Sequence, residues 1–194
     1  EGKRGCAVKS FLTKRVSVLV HGNELLGGFL EGYDTTKERG QSAHTFDNIV
    51  ATIRDFFMTE KTQRDAASRL VGYIVLDALV GNTDRHHQNW GVLLEFDFSL
   101  DKPYTSRAAI APTFDHASSL GRELTDERRE RCLMENQVER YLRNGKGGIF
   151  ERVESARGMS PIAVAELVAL RYPDFFKGWQ ARLRNLRENF WEDI

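Results

Sequence analysis

Between Thr62 and Leu79 the chain is apolar almost all the way round a helix. Leu70, Val71, Ile74, Val75, Ala78 and Leu79 leave it no broad polar face, and Gly81 then closes the last turn. Such a helix must be wrapped on most sides, so it predicts the axis of a core. Thr62, with Asp65 three residues on, marks its expected start. The next stretch is opposite in character: Asn82-Thr83-Asp84-Arg85-His86-His87-Gln88-Asn89. So polar a segment, delivered by a buried helix, is expected at the rim of the core with its side chains committed to chemistry or to one another.

The remaining pattern gives the architecture. Upstream, Cys6–Leu12 and Val16–Val20 are β-branched and aromatic and read as strands joined by a Thr13-Lys14-Arg15 turn. Glu24–Leu30 continues the apolar signal, with Gly27-Gly28 marking a bend or a close backbone approach. Residues 34–42 read as an exposed loop, and Phe46, Ile49, Val50, Ile53, Phe56 and Phe57 recur at helical spacing. Downstream, Trp90–Phe98 alternates as a strand, Asp101–Ser106 is turn chemistry and Ala108–Ala111 is the return strand. Asp126–Arg143 predicts one helix, stopped by Asn144-Gly145-Lys146-Gly147-Gly148. Ser160-Pro161 opens another. Asp174 opens the last, with Trp179, Leu183, Leu186 and Phe190 on one stripe. The expected fold is α+β and mainly helical. Residues 1–33 form N-terminal strands, and residues 34–194 form a helical lobe carrying a loop and a β-hairpin.

Bulk properties remove some function classes. Lys plus Arg and Asp plus Glu number 28 each, so no global field draws in nucleic acid or a membrane surface. No apolar run is long enough to span a bilayer, and no signal peptide is visible. Cys6 and Cys132 lack the paired spacing of a zinc site and read as free thiols of a cytoplasmic protein. The chain starts at Glu1 rather than Met, which reads as a piece of a longer protein.

Asp84 and Asn89, then a strand pair, then Asp115 follow the order used for phosphoryl transfer. That reaction asks the protein for positioning and charge stabilisation. Asp84 is the candidate to orient and deprotonate an acceptor hydroxyl. Asn89 and Asp115 offer hard oxygen donors to Mg2+ on the phosphates of ATP. The hairpin between them returns the chain, so that Asp115 can lie beside Asn89. His86 joins Asp84 and Asn89 as a direct or supporting member of the catalytic set. Arg85 and His87 read as scaffold for the loop.

Asn82-Thr83-Asp84-Arg85-His86-His87-Gln88-Asn89, followed by Ala111-Pro112-Thr113-Phe114-Asp115-His116-Ala117-Ser118-Ser119, resembles the catalytic loop and metal-binding segment of the HipA-like, toxin-type Ser/Thr kinases. Residues 79–120 carry the resemblance. It implies a kinase C-terminal lobe with Asp84 as catalytic base and Asn89 and Asp115 as magnesium ligands. It also implies ATP as phosphate donor, a protein Ser or Thr hydroxyl as acceptor, and an antitoxin or small-lobe protein as partner. The family's ATP lysine and phosphate-covering loop are expected upstream of Glu1, with the run from Phe11 to His21 passing the adenine site as an interlobe hinge. Two departures stand out: His116-Ala117 follows Asp115 where protein kinases carry Phe-Gly, and no Ala-Pro-Glu element comes after.

Asp84-Arg85-His86-x-x-Asn89 is also the loop pattern of phosphatidylinositol 3- and 4-kinases, which keeps a lipid acceptor as the alternative. A non-catalytic pseudokinase or split-kinase subunit is the alternative of a different class. Gly145-Lys146-Gly147-Gly148 lacks the strand before it and the hydroxyl after it that a P-loop needs, and reads as a helix end with a mobile loop. Ser118 and Ser119 lie in no nucleophile elbow and are expected to hydrogen-bond the loop beside Asp115.

Overall fold

The computed structural model describes residues 9–12, 16–97 and 105–189. The expected axis is present. Helix α3 spans Glu60–Val80 and touches helix α2 (Phe46–Phe56), helix α6 (Pro161–Arg171), helix α7 (Pro173–Asn189) and strand β3 (Thr105–Ile110). Its Leu70, Val71, Ile74 and Val75 are buried. The helix begins earlier than Thr62 suggests. Thr59 is the N-cap, its hydroxyl accepting the Thr62 N–H at 3.2 Å, while the Thr62 hydroxyl accepts the Thr59 N–H at 3.3 Å. Gly81 ends it in the left-handed region, at φ +65°.

The sheet is three-stranded and antiparallel. Strand β2 (Gly91–Asp97) lies between β1 (Val16–His21) and β3, with Val92 opposite both Val20 and Ile110. The expected hairpin therefore forms, and the Ala111 N–H donating to the Gly91 carbonyl at 3.0 Å extends it toward Asn89 and Thr113. Cys6, Lys14, Phe98 and the turn residues 101–104 lie outside the described residues, and residues 9–12 carry no strand.

Two elements depart from the sequence reading. Gly22–Phe29 is a helix, α1, where the apolar run Glu24–Leu30 continued the strand signal. Its start is fixed by Glu24 Oε2, which accepts the His21 N–H at 2.8 Å, and by Gly22, whose N–H donates to the Trp90 carbonyl at 2.8 Å. A Cβ on Gly22 would lie 2.2 Å from the Trp90 ring, so only glycine fits this approach. Gly27 is a close approach as well, to Thr35, whereas Gly28 faces open space.

The predicted helix 126–143 is two helices, α4 (Asp126–Met134) and α5 (Val138–Asn144), parted at Asn136 with φ +52°. Ser160 caps α6 and Pro161 is its first residue, as expected. On α7, Trp179 and Leu183 pack against the core, and the Trp179 indole donates to the Ser68 carbonyl at 2.7 Å. The side chain of Leu186 and all of Phe190 fall outside the described residues.

Candidate active site

A buried ion pair organises the loop after α3. Asp77, on the last turns of α3, is 3% exposed and Arg85 is 4% exposed. Arg85 Nε donates to Asp77 Oδ2 and Nη2 to Asp77 Oδ1, both at 2.7 Å. Asn82 Nδ2 adds a bond to Asp77 Oδ1 at 2.9 Å, and Asn82 Oδ1 accepts the Asp84 N–H at 3.1 Å. The remaining Arg85 donors reach across the hairpin. Nη1 donates to the Asn89 carbonyl and, at 3.2 Å, to the Phe114 carbonyl, while Nη2 donates to Thr113 Oγ1 at 3.1 Å. One planar guanidinium, which cannot lose its charge, thus ties the Asp84–Asn89 loop to the residues leading into Asp115. The guanidinium also lies over the Tyr73 ring, 5.6 Å from its centroid. Burial pushes the Tyr73 phenol up to about 12, so its hydroxyl stays a donor, to the Ala111 carbonyl.

The sequence reading gave Arg85 a supporting part but missed Asp77. The available signal was an acid set among the apolar residues of the last turns of α3, where burial requires a partner.

The three candidate residues differ in setting. Asp84 is half-buried, and Ser118 Oγ donates to its Oδ2 at the long distance of 3.5 Å. The Thr83 N–H makes an equally long bond, 3.5 Å, to the Ser118 carbonyl. Ser118 therefore serves the Asp84 side of the site, whereas Ser119 Oγ is buried without a partner. Asn89 is buried, and its Nδ2 donates to the Asp84 carbonyl at 2.6 Å, which leaves Oδ1 as the free end of the amide. Asp115 is exposed and holds φ +57°, in the left-handed region that few residues other than glycine adopt. Five residues on, Leu120 is also left-handed, at φ +55°, and its N–H donates to the Val80 carbonyl at 2.7 Å, closing the segment back on α3.

An amide oxygen and an exposed carboxylate are hard donors of the kind Mg2+ takes, usually one or two from protein and the rest from phosphate and water. Among the described residues, no group of three or more His, Cys, Asp or Glu is placed to hold a metal ion. On the strand side of Asp115, the rings of Phe11 and His21 each lie 6.0 Å from Phe114.

A family model described as the HipA-like C-terminal domain matches residues 26–169. The chain belongs to that family. The crystal structure of a Helicobacter pylori proinflammatory kinase, CtkA, is similar at a TM-score of 0.59 and 19% identity, covering 87% of this chain and 53% of that one. The likeness extends to the kinase fold, and the chain spans about half of the CtkA chain. Nothing among curated proteins matches it. Neither resemblance favours the inositol-lipid kinases, whose loop pattern Asp84-Arg85-His86-x-x-Asn89 shares. Among the described residues of this HipA-like domain, no helix is long and apolar enough to cross a membrane.

Beside Asp84 the domain opens a cleft of about 140 Å3, lined among others by Arg39, Gln41, His86 and Lys146. His86 is half-buried there, its Nδ1 accepting the Gln88 N–H at 3.3 Å. The loop 145–148, read from the sequence as mobile, is instead packed against the loop that carries Asp84 and His86. A Cβ on Gly148 would lie 2.7 Å from the Arg85 carbonyl and the His86 backbone, and one on Gly147 2.6 Å from the Met159 carbonyl. Gly148→Ala is therefore expected to cost about 1–3 kcal/mol in urea unfolding, because backbone rather than a yielding side chain must move. It should also displace Asp84 enough to lower any transfer activity.

Behind the loop, His44 is pinned by two bonds of fixed sense. The Trp90 indole donates to its Nε2 at 3.0 Å, so Nδ1 carries the proton and donates to the Gly148 carbonyl at 2.7 Å. Burial above all drives its pKa down to about 3. Burial likewise lowers His87, whose Nδ1 pairs with the Tyr33 hydroxyl at 2.8 Å. The unfolded chain takes up a proton at His44 once the pH falls below about 6.5, and the folded chain does not until about 3. Stability is therefore full above 6.5 and declines as pH falls through that window. Wild type should lose about 2 kcal/mol more between pH 7 and pH 5 than His44→Gln, read from urea midpoints.

Proposed function

We propose that this chain is the catalytic lobe of an ATP- and Mg2+-dependent kinase that transfers the γ-phosphoryl group to a Ser or Thr hydroxyl of a protein. The observation that carries the reading is the Arg85 bridge. Anchored on Asp77, it holds the Asn89 and Phe114 carbonyls on one nitrogen, which supports the reading by joining the loop of Asp84 and Asn89 to the residue before Asp115. Asp84 aligns the acceptor hydroxyl and takes its proton. The acceptor oxygen bonds to the γ-phosphorus as the bond to the β,γ-bridging oxygen breaks, and ADP leaves. Asn89 Oδ1 and the Asp115 carboxylate would hold magnesium, which when bound neutralises charge on the phosphates. His86 borders the acceptor side of the cleft. Phe11 and His21, packed on Phe114, support a hinge passing the adenine. A cytoplasmic setting, with an antitoxin or small-lobe partner, belongs to the same proposal.

The test is transfer of labelled γ-phosphate by the longest natural form of the protein. Wild type should label a protein Ser or Thr in the presence of Mg2+, and Asp115→Ala should remove the label. Label on inositol lipid would move the acceptor class, and magnesium-dependent ATP binding without transfer would make the chain a binding module.

A further inference from the structure

Helices α4 and α5 bury none of their own residues, yet Leu133 and Met134 on them are 69% and 87% exposed. An open groove of about 600 Å3 runs between them. Arg128, Arg131 and Arg140 line it with Glu135 as the one acid, and none of the three arginines forms an ion pair among the described residues. Alongside is an apolar seat of about 230 Å3, built on Leu79, Leu120, Leu133 and Val138. Both reach the catalytic loop. The groove ends at Gly145, next to the Lys146 that lines the Asp84 cleft, and the seat begins at Leu79 and Val80, directly before that loop.

We propose that this surface docks an acidic segment with aliphatic side chains, flanking the phosphorylated residue of the substrate protein. Charge complementarity names the occupant: three guanidiniums without an ion pair among the described residues, against one carboxylate in the groove lining, favour a carboxylate-rich chain, and the adjoining seat takes its Leu or Ile side chains. A nucleic acid would use the arginines but leave the seat without a partner. The register of the segment against Asp84 rests on the phosphotransfer reading. The binding itself does not.

The probe is a short fluorescein-labelled peptide in which one Ser is flanked by Glu, Asp and two Leu, followed by anisotropy with the full natural protein. Wild type should bind it in a salt-sensitive way. The exposed triple variant R128E/R131E/R140E, shown folded by its unfolding midpoint, should bind about tenfold more weakly or worse. Leu133→Asp should also weaken binding, and Asp84→Asn should not. Unchanged binding by the triple variant, absent binding by wild type, a preference for oligouridylate, or self-association through the same face would each overturn the docking proposal. Peptide phosphorylation with unchanged triple-variant binding would leave the kinase reading standing without the docking site. Arginine-dependent binding with no phosphorylation would do the reverse.

Discussion

Asp84→Asn is expected to lower phosphoryl transfer by a factor of about 100 to 10,000 while leaving folding and magnesium-dependent nucleotide binding near wild type. The amide keeps the shape of the side chain and can still meet Ser118 Oγ, but it has no basic oxygen to take the acceptor's proton. The fold should tolerate the change, because the bonds that hold this residue in place run through its backbone. Its N–H donates to Asn82 Oδ1, and its carbonyl accepts from Asn89 Nδ2. The loss should fall on kcat more than on KM, since the role proposed for Asp84 is on the reacting hydroxyl. Transfer reduced less than about tenfold would remove Asp84 from the catalytic role.

The largest effect on stability is expected at Asp77. Asp77→Ala leaves the Arg85 guanidinium buried without its carboxylate and strips Asn82 of its acceptor, which should cost about 3–5 kcal/mol. A domain of this kind has about 5–15 kcal/mol in all, so the variant should be marginal at room temperature. The double variant Asp77→Leu with Arg85→Met separates stability from function. Replacing both charges with apolar groups of similar volume removes the unpaired charge, so much of the lost stability should return. Transfer activity should not return, because nothing then joins the Asn89 and Phe114 carbonyls. Urea midpoints and transfer rates of the single and double variants check both halves. A single-variant loss below about 1 kcal/mol would mean that the pair does not organise the loop.

The axis helix was legible because its apolar residues cover most of its circumference and Gly81 can close it only in the left-handed region. The hairpin was legible from alternation, and with it the return of Asp115 toward Asn89. Helix α1 was not. Glu24–Leu30 is too short an apolar run for its period to separate helix from strand, and what decides it is a Glu24 bond to the His21 backbone and the fit of Gly22 under Trp90. The break between α4 and α5 carries no Pro or Gly; Asn136, one of the few residues that tolerate the left-handed region, was its one mark. Gly147 and Gly148 looked like slack in the chain, since the backbones they approach are distant in sequence, Met159 for the first and Arg85 and His86 for the second. In the candidate site, residue types singled out Asp84, Asn89 and Asp115 for the proposed roles, whereas the clamp of Asp77 and Arg85 is visible only once α3 and the hairpin are folded.

The most direct measurement is a crystal structure of the full natural protein with magnesium and a non-hydrolysable ATP analogue. The account predicts one magnesium ion coordinated by Asn89 Oδ1 and the Asp115 carboxylate, with Asp84 facing the terminal phosphate and making no contact to the metal. A nucleotide seated elsewhere, or a metal that touches neither Asn89 nor Asp115, would contradict it.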